Sequence, residues 1–231
     1  MNNILEKIKD VVIVSVQAMP NEPLYAEQCM IAMMKSVVNG GAGALRVAGV
    51  RDIKNAKRLF SVPVIGITKP DVIPKNYKEL VYITPTVHDA LDVVNAGADI
   101  VAFDGTVRKR PNNEKLSDLI KYIHLNQKIA MADVATLEDG IYAKEAGADI
   151  LSTTLAGYTV ESASSPSDEP DFELLEKLKQ ETGIPIILEG RIWEVEQVNR
   201  AFELGAHSVV IGSAITRPQL ITKRFVFRKD K

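Results

Sequence analysis

The chain of 231 residues contains one cysteine, Cys29, so no disulfide can form within it. A chain without disulfides suits a reducing compartment, and we therefore expect a cytoplasmic protein. The first ten residues carry mixed charge and lack the apolar core of a signal peptide. No apolar run is long enough to span a bilayer, so the sequence predicts no membrane partner.

A bias toward one sign of charge is also missing, because the chain has 28 Lys and Arg residues and 30 Asp and Glu residues, for a net charge of −2. This balance gives no general attraction to nucleic acid or anionic lipid, although it is compatible with a local cationic pocket. The three histidines lack the spacing to other ligands that metal sites show. The sequence therefore predicts neither a nucleic-acid partner nor a metal.

Short runs rich in β-branched residues recur along the chain, with helical stretches between them. They are apolar throughout rather than alternating, which is typical of parallel strands covered by helices. Eight runs are predicted to be strands: residues 11–16, 44–47, 64–68, 100–103, 129–132, 150–153, 186–188 and 208–211. A ninth, residues 81–84, predicts an extra strand or a tight turn before the next helix.

A repeated segment separates helices from strands. Ala96-Gly97-Ala98-Asp99-Ile100 returns as Ala146-Gly147-Ala148-Asp149-Ile150, roughly fifty residues later. Its glycine can end a helix with a positive φ, and the spacing is about that of two strand–helix units. Together with the length, this predicts an α/β fold, a single (β/α)8 TIM barrel domain over residues 1–231. An open doubly wound sheet is the alternative.

Polar residues follow the apolar runs, at the ends where barrel enzymes place their active sites. In strand order they are Gln17, Arg46, Lys69, Asp104, Asp133, Thr153 and Thr154, Glu189 and Gly190, and Gly212 and Ser213, with Arg217 close behind. Their convergence on one rim indicates a site, in which Lys69 and Glu189 are the strongest functional candidates. Two long loops, residues 71–78 and 161–170, belong to the same face.

Each of these side chains also has a structural interpretation. Gln17 could serve only as a hydrogen-bonding group, Arg46 could pair with Asp104 or Glu189, and Asp133 could cap the following helix. A lone lysine such as Lys69 most often lies in solvent.

The ends of the seventh and eighth runs have the features of a phosphate site. Gly190 and Gly212 let backbone N–H groups approach an anion, and the following helix begins with partial positive charge. Arg217 adds a charge-assisted contact. The sequence therefore predicts that a phosphorylated small molecule binds here.

Motifs along most of the chain resemble those of one family. They are Ser15-Val16-Gln17-Ala18, Gly66-Ile67-Thr68-Lys69, Tyr82-Ile83-Thr84-Pro85-Thr86, Met131-Ala132-Asp133-Val134-Ala135-Thr136, Thr153-Thr154-Leu155-Ala156-Gly157-Tyr158-Thr159, Glu189-Gly190-Arg191-Ile192 and Gly212-Ser213-Ala214-Ile215-Thr216-Arg217-Pro218. The chain resembles the N-acetylmannosamine-6-phosphate 2-epimerase family of bacterial sialic-acid catabolism. The resemblance implies an isomerase that interconverts N-acetylmannosamine 6-phosphate and N-acetylglucosamine 6-phosphate, with no metal and no nucleotide cofactor.

By position, Lys69 and Glu189 match the family's catalytic pair. Together, the resemblance and the strand ends assign the substrate contacts to Gln17, Arg46, Asp133, Thr153, Thr154, Gly190, Arg191, Gly212, Ser213 and Arg217. Proton transfer at C2 is assigned to Lys69, whose pKa must be lowered for it to act as a base near neutrality, by desolvation and by repulsion from Arg46. For Glu189, two roles stay open, at the C1 and ring-oxygen end or at C2 itself.

The resemblance also favours a homodimer. We expect it to form through a C-terminal helix over residues 216–228, which is rich in apolar side chains: Leu220, Ile221, Phe225, Val226 and Phe227. The alternative is that this helix packs on the first and eighth strands of its own barrel.

The chain departs from the family pattern at two places. Pro70-Asp71 and a longer loop follow the lysine, where the family often has a basic residue and then Asp-Tyr. Asp104-Gly105-Thr106 replaces the common Asp-Ala-Thr after the fourth strand. Both departures affect the expected loop closure and fine positioning rather than the reaction.

Two other functions are compatible with a barrel that binds sugar phosphates. A Schiff-base aldolase would also use a strand-end lysine, and borohydride would then trap a substrate adduct on Lys69. A non-catalytic sugar-phosphate sensor should lack a complete acid–base pair, whereas Lys69 and Glu189 supply one.

Treatment with a chelator should leave turnover of the sugar phosphate unchanged, because no His, Cys and carboxylate cluster has ligand spacing. Turnover before and after dialysis against EDTA tests this expectation. Loss of activity that zinc or magnesium restores would show a metal site that the sequence does not reveal.

Overall fold

The computed structural model describes residues 2–166 and 168–226. Eight parallel strands form a closed barrel in chain order, and the pairing of the first strand with the eighth closes it. The strands are β1 (Val12–Val16), β2 (Ala44–Ala48), β3 (Val64–Ile67), β4 (Ile100–Asp104), β5 (Ile129–Asp133), β6 (Ile150–Ser152), β7 (Ile186–Glu189) and β8 (Ser208–Ile211). The predicted (β/α)8 barrel is confirmed, and the open-sheet alternative is wrong.

Helices connect the strands and surround the barrel. They are α1 (Asn2–Lys7), α2 (Glu27–Asn39), α3 (Val50–Leu59), α4 (Val87–Asn95), α5 (Leu116–Leu125), α6 (Leu137–Glu145), α7 (Phe172–Thr182), α8 (Val195–Glu203), α9 (Ser213–Thr216) and α10 (Pro218–Val226). In the part of the chain that the structure describes, no helix is both long and apolar enough to cross a bilayer.

The aspartate of each repeated segment bonds the backbone at or near the start of the neighbouring strand. Gly97 and Gly147 end α4 and α6 with φ values of 97° and 107°. The Asp99 carboxylate then accepts the Val64 N–H of β3 at 2.8 Å. The Asp149 carboxylate accepts the Ala130 N–H of β5 at the same distance. Each copy therefore stabilises the amino end of the barrel, opposite the predicted site.

Two apolar layers follow from the alternation of side chains along the strands. One layer fills the barrel interior and includes a residue from each of the eight strands: Ile13, Ala44, Ile65, Ile100, Ile129, Ile150, Ile187 and Val210. The other lies between the strands and the helices and contains the alternate positions, such as Val14, Leu45 and Val101. Because both faces are covered, the strands are apolar throughout.

The ninth apolar run is not a strand. Residues 81–84 form an irregular segment after a 3-10 turn at Tyr77–Glu79. Thr84 has a φ of 42°, and its N–H donates to the Thr68 carbonyl at 3.1 Å. The segment therefore bends at Ile83 and Thr84 and lies beside the chain that follows β3.

The C-terminal helix differs from its predicted bounds. Thr216 ends α9, and α10 begins only at Pro218, because Arg217 has non-helical dihedral angles. No side chain of α10 is buried, and Phe225 is 75% exposed. At the start of the predicted helix the buried Thr216 does pack on β1, since its Oγ1 donates to the Ser15 carbonyl at 2.8 Å, whereas α10 buries no side chain. Phe227 and Arg228 of the predicted helix lie outside the described residues.

Candidate active site

A cavity of about 430 Å³ opens at the carboxyl ends of the strands. Nine predicted site residues line it: Gln17, Lys69, Thr154, Glu189, Gly190, Arg191, Gly212, Ser213 and Arg217. The other three, Arg46, Asp133 and Thr153, lie directly beneath and hydrogen-bond to lining residues. The structure therefore brings together all the predicted catalytic and substrate-binding residues, whereas Asp104, the strand-end residue of β4, does not line the cavity and pairs with Arg108.

The inward positions of the strands explain this convergence. Side chains two positions apart on a strand point to the same face. In three strands, an apolar residue in the barrel interior is followed two positions later by a polar one. Ile67 precedes Lys69, Met131 precedes Asp133, and Ile187 precedes Glu189. The barrel is therefore apolar at its amino end and polar at its carboxyl end.

The Arg46 guanidinium organises the floor of the cavity. Its Nη1 donates to Asp133 Oδ1 at 3.0 Å and to Glu189 Oε2 at 2.8 Å, while Nη2 pairs with Asp133 Oδ2. Arg46 and Asp133 are 1% and 0% exposed. Of the two predicted pairings of Arg46, the one with Glu189 is confirmed, and Asp104 pairs with Arg108 instead.

Asp133 does not cap the helix that follows it. The side chain of Thr136 caps α6 by accepting from the Asp139 N–H. Asp133 instead accepts from Arg46 and from Thr154 Oγ1 at 2.8 Å. Both oxygens of its carboxylate therefore bond side chains beneath the cavity.

Lys69 lies in the cavity and is partly buried, rather than extended into solvent. Its Nζ donates to Gln17 Oε1 at 2.9 Å, and Gln17 Nε2 in turn donates to Ser15 Oγ at 2.9 Å. Burial and, secondarily, the positive charge of Arg46 lower the pKa of Lys69 to about 8, against the opposing influence of Glu189 and Asp133. The amine is thus poised to exchange a proton near neutral pH.

Only one oxygen of the Glu189 carboxylate is occupied by the described residues. Oε2 accepts from Arg46 and lies 2.9 Å from Thr154 Oγ1, whose single hydroxyl hydrogen it shares with Asp133, and this leaves Oε1 for a ligand. Thr153 Oγ1 bonds both the N–H and the carbonyl of Glu189 at 3.0 Å and fixes its backbone. Burial raises the pKa of Glu189 above its ordinary value, although the Arg46 guanidinium opposes this.

The ends of β7 and β8 expose backbone to the cavity. Gly190 has a φ of 111°, and Gly212 precedes Ser213 at the start of α9. Arg217 lines the same end and forms an ion pair with Glu22. Its Nε is buried and has no hydrogen-bond partner among the described residues, so this donor is left for a ligand.

Arg191 joins two loops of the rim. Its Nη1 donates to the Ala156 carbonyl at 2.6 Å, and its Nε donates to the Glu169 carbonyl at 2.8 Å. The guanidinium also lies 5.7 Å from the ring centroid of Tyr158. Arg191 thereby holds the long loop after β6 against the loop after β7, while its side chain lines the cavity.

Several lining residues were missed from the sequence. Ser15 and Tyr82 are polar, whereas Tyr158 and Trp193 add aromatic surface. Ser15 could have been found, because it lies two positions before Gln17 on the same face of the chain. The other three lie on loops, where strand alternation gives no signal.

The two departures from the family pattern have different surroundings. Pro70 and Asp71 are exposed. A Cβ on Gly105 would meet the Cβ of Ala132 at 2.6 Å, so an alanine there would need a shift of β5. Glycine at this position is therefore fitted to the packing of this chain.

The histidines lie away from the cavity or have other partners. His124 pairs with Asp149 on the outer surface, and His207 Nε2 lies 2.9 Å from the Leu5 carbonyl at the amino end of the barrel. Among residues 2–166 and 168–226, no three His, Cys, Asp or Glu side chains are grouped to hold a metal ion.

Comparisons with known proteins agree on one family. A family model described as "Putative N-acetylmannosamine-6-phosphate epimerase" matches residues 30–230. A Clostridioides difficile protein named "Putative N-acetylmannosamine-6-phosphate 2-epimerase" is 45% identical over 96% of this chain and 97% of its own length.

Solved structures agree with this match. The structure of the N-acetylmannosamine-6-phosphate 2-epimerase from Clostridium perfringens superposes with a TM-score of 0.91 at 44% identity, covering 97% of this chain and 96% of that one. A thiamine phosphate pyrophosphorylase from Pyrococcus furiosus, at 18% identity and a TM-score of 0.59, shares the barrel fold alone.

The Lys69 amine should titrate well below an ordinary solvated lysine, with a pKa of about 8, because it is desolvated beside Arg46. The Cε resonances of protein carrying ¹³C-labelled lysine, followed by NMR from neutral to alkaline pH, measure this. One resonance should titrate near 8 and be missing from Lys69→Ala. If no lysine titrates below about 9.5, as expected for ordinary solvated amines, the cavity does not perturb Lys69.

Proposed function

Because this chain belongs to the N-acetylmannosamine-6-phosphate epimerase family, we propose that it interconverts N-acetylmannosamine 6-phosphate and N-acetylglucosamine 6-phosphate by proton transfer at C2. The observation that supports this reaction is the pair formed by Lys69 and Glu189 in one cavity. The amine of Lys69 has a lowered pKa, the carboxyl of Glu189 has a raised pKa, and Oε1 of Glu189 is open to a ligand.

The reaction inverts one carbon, so a proton must leave one face of C2 and another must arrive on the opposite face. The C2 proton becomes acidic only when C1 is an aldehyde, and ring opening therefore comes first. Removal of the proton then places negative charge on the C1 oxygen, as an enolate whose C2 carries the acetamido group. Protonation of C2 from the other face and ring closure give the epimer.

Lys69 and Glu189 extend from β3 and β7, on different sides of the cavity. This arrangement suits two groups that flank one carbon. In one direction the neutral Lys69 amine takes the C2 proton and the protonated Glu189 supplies the other. In the reverse direction the Glu189 carboxylate is the base and the Lys69 ammonium is the acid. The lowered pKa of Lys69 and the raised pKa of Glu189 bring the two values closer. Both protonation states of the pair, amine with carboxyl and ammonium with carboxylate, are then accessible.

Removing the amine should nearly abolish the reaction, since a general acid or base typically contributes about 10²–10⁴-fold. We expect kcat of Lys69→Ala to fall by at least about a hundredfold on N-acetylmannosamine 6-phosphate, with an unchanged fold by circular dichroism. Lys75→Ala, which removes an exposed lysine of the same loop, is the matched control. If Lys69→Ala retains more than about a tenth of the wild-type kcat, Lys69 takes no part in proton transfer.

We infer that the phosphate of the substrate binds at the ends of β7 and β8. Gly190 and Gly212 expose backbone there, and Arg217 supplies a positive charge and an unpartnered Nε–H. The sugar would then extend from this end of the cavity toward Lys69. The arrangement follows the phosphate-binding position of many barrels.

Arg217→Ala should mainly raise KM for the phosphorylated sugar, because a hydrogen bond to a charged group contributes about 1.5–3 kcal/mol. This corresponds to roughly a ten- to hundredfold change in binding. Wild-type protein should turn over unphosphorylated N-acetylmannosamine very poorly. Comparable kcat/KM values for the two sugars would contradict a phosphate site at this end.

We also propose that two copies associate through α10. Its side chains are not buried in the monomer, and Phe225 and Val226 are 75% and 63% exposed. Burying one such aromatic side chain gains roughly 1.5–3 kcal/mol, so a symmetric contact between two helices could hold a dimer.

Light scattering at micromolar concentration should give twice the mass of the chain. Phe225→Glu should convert the dimer into a folded monomer, since it places a charge in the proposed contact. A folded Phe225→Glu protein that stays dimeric would place the contact elsewhere on the subunit. A monomer mass for the wild type would contradict the dimer.

A further inference from the structure

Arg108 follows β4 and has a side chain that is only 7% exposed, yet it does not line the cavity. Its Nη1 donates to the carbonyls of Lys78 at 2.8 Å and Leu80 at 3.0 Å. Its Nη2 donates to Asp104 Oδ2 at 2.7 Å, and its Nε donates to Thr106 Oγ1 at 3.0 Å. One guanidinium therefore joins the end of β4 to the backbone of a different loop.

The loop that Arg108 binds forms one wall of the cavity. We call residues 77–84 the wall segment. Tyr82 and Ile83, both in this segment, line the cavity together with Lys69. Tyr77 packs edge-on against Tyr82, with the ring centroids 6.3 Å apart. Burial raises the pKa of Tyr82 to about 12, so its phenol stays neutral throughout the working range.

The far end of the wall segment is bonded to the residue before Lys69. The Thr84 N–H donates to the Thr68 carbonyl, and the Thr68 N–H donates to Thr84 Oγ1, both at 3.1 Å. The Asp104 N–H donates to the Ile83 carbonyl at 3.0 Å. The wall segment is thus held at its end by β4 and Thr68, and at its beginning by Arg108.

We propose that Arg108 is a positioning residue for the epimerisation: it holds the wall segment against the cavity so that water is kept from the Lys69 amine. The inference rests on the proposed function, since it assigns Arg108 a part in the same reaction. Arg108 anchors the loop after β3 to the segment that follows β4 by binding two carbonyls of that loop at once.

The charge of Arg108 is not what acts on Lys69. The charged groups that shift the Lys69 pKa are Arg46 on β2, Asp133 on β5 and Glu189 on β7. Tyr82, the titratable residue of the wall segment that lines the cavity, is neutral. Burial is the largest cause of the shift. Loss of the anchor should therefore admit water and raise the Lys69 pKa from about 8 toward its ordinary value, while the three charges stay in place.

The variant must remove Arg108 without leaving a buried carboxylate unpaired, which is itself strongly destabilising. Arg108→Met combined with Asp104→Asn removes both charges, and the asparagine oxygen can still accept from Thr106. The matched control is Lys57→Met combined with Asp99→Asn, which removes an ion pair of 2.7 Å at the opposite end of the barrel.

Two measurements are made on each protein: the NMR titration of ¹³C-labelled lysine and kcat on N-acetylmannosamine 6-phosphate at neutral pH. In the Arg108 double variant we expect the Lys69 resonance to titrate at higher pH and kcat to fall about ten- to hundredfold, as for a displaced reacting group. The control should lose stability to urea but keep the wild-type titration of Lys69 and the wild-type kcat.

A folded Arg108 double variant with the wild-type Lys69 titration and kcat overturns the proposal, and so does a control that shifts Lys69 equally. If the double variant does not fold, Arg108→Lys takes its place, because lysine can keep the ion pair but cannot bind two carbonyls and Asp104 together. It should shift Lys69 in the same direction, and an unchanged titration overturns the proposal. An inactive wild type would contradict the proposed function instead, and the titration would still decide whether Arg108 excludes water.

Discussion

The buried pairing of Arg46 with Asp133 is the interaction on which the site depends. Both side chains are almost completely removed from solvent, and a buried pair is strongly destabilising to break, because the remaining charge has no partner. Arg46 also binds Glu189, and Asp133 also binds Thr154, so the pair fixes groups from four strands at once. The closed barrel supplies the constraint that makes this possible, since it brings the ends of β2, β5, β6 and β7 around one point.

This pairing also sets the electrostatics of the cavity. Arg46 stabilises the Glu189 carboxylate and repels the Lys69 ammonium, so a single positive charge acts on both members of the proposed acid–base pair. Desolvation disfavours the charged form of each group, so it lowers the pKa of Lys69 and raises the pKa of Glu189. The result is an amine and a carboxyl whose proton affinities lie closer together than in water, as an inversion that runs in both directions requires.

Much of this arrangement could be predicted from the sequence. Apolar runs with polar ends identified the eight strands and most of the site, because a parallel barrel places all carboxyl ends on one rim. The same pattern did not separate Thr154, which faces the cavity, from Thr153, which bonds backbone beneath it. Tyr82, Tyr158 and Trp193 were missed, since loop residues lack a periodic signal. The break between α9 and α10 was also missed, because apolar side chains continue across it.

In the proposed reaction, protons at C2 of the sugar exchange with solvent through groups of this cavity. Proton NMR of N-acetylmannosamine 6-phosphate with the wild-type protein in heavy water tests it most directly. We expect N-acetylglucosamine 6-phosphate to accumulate with deuterium at C2. A mixture that shows no second epimer, or an epimer that retains its original proton at C2, would contradict it.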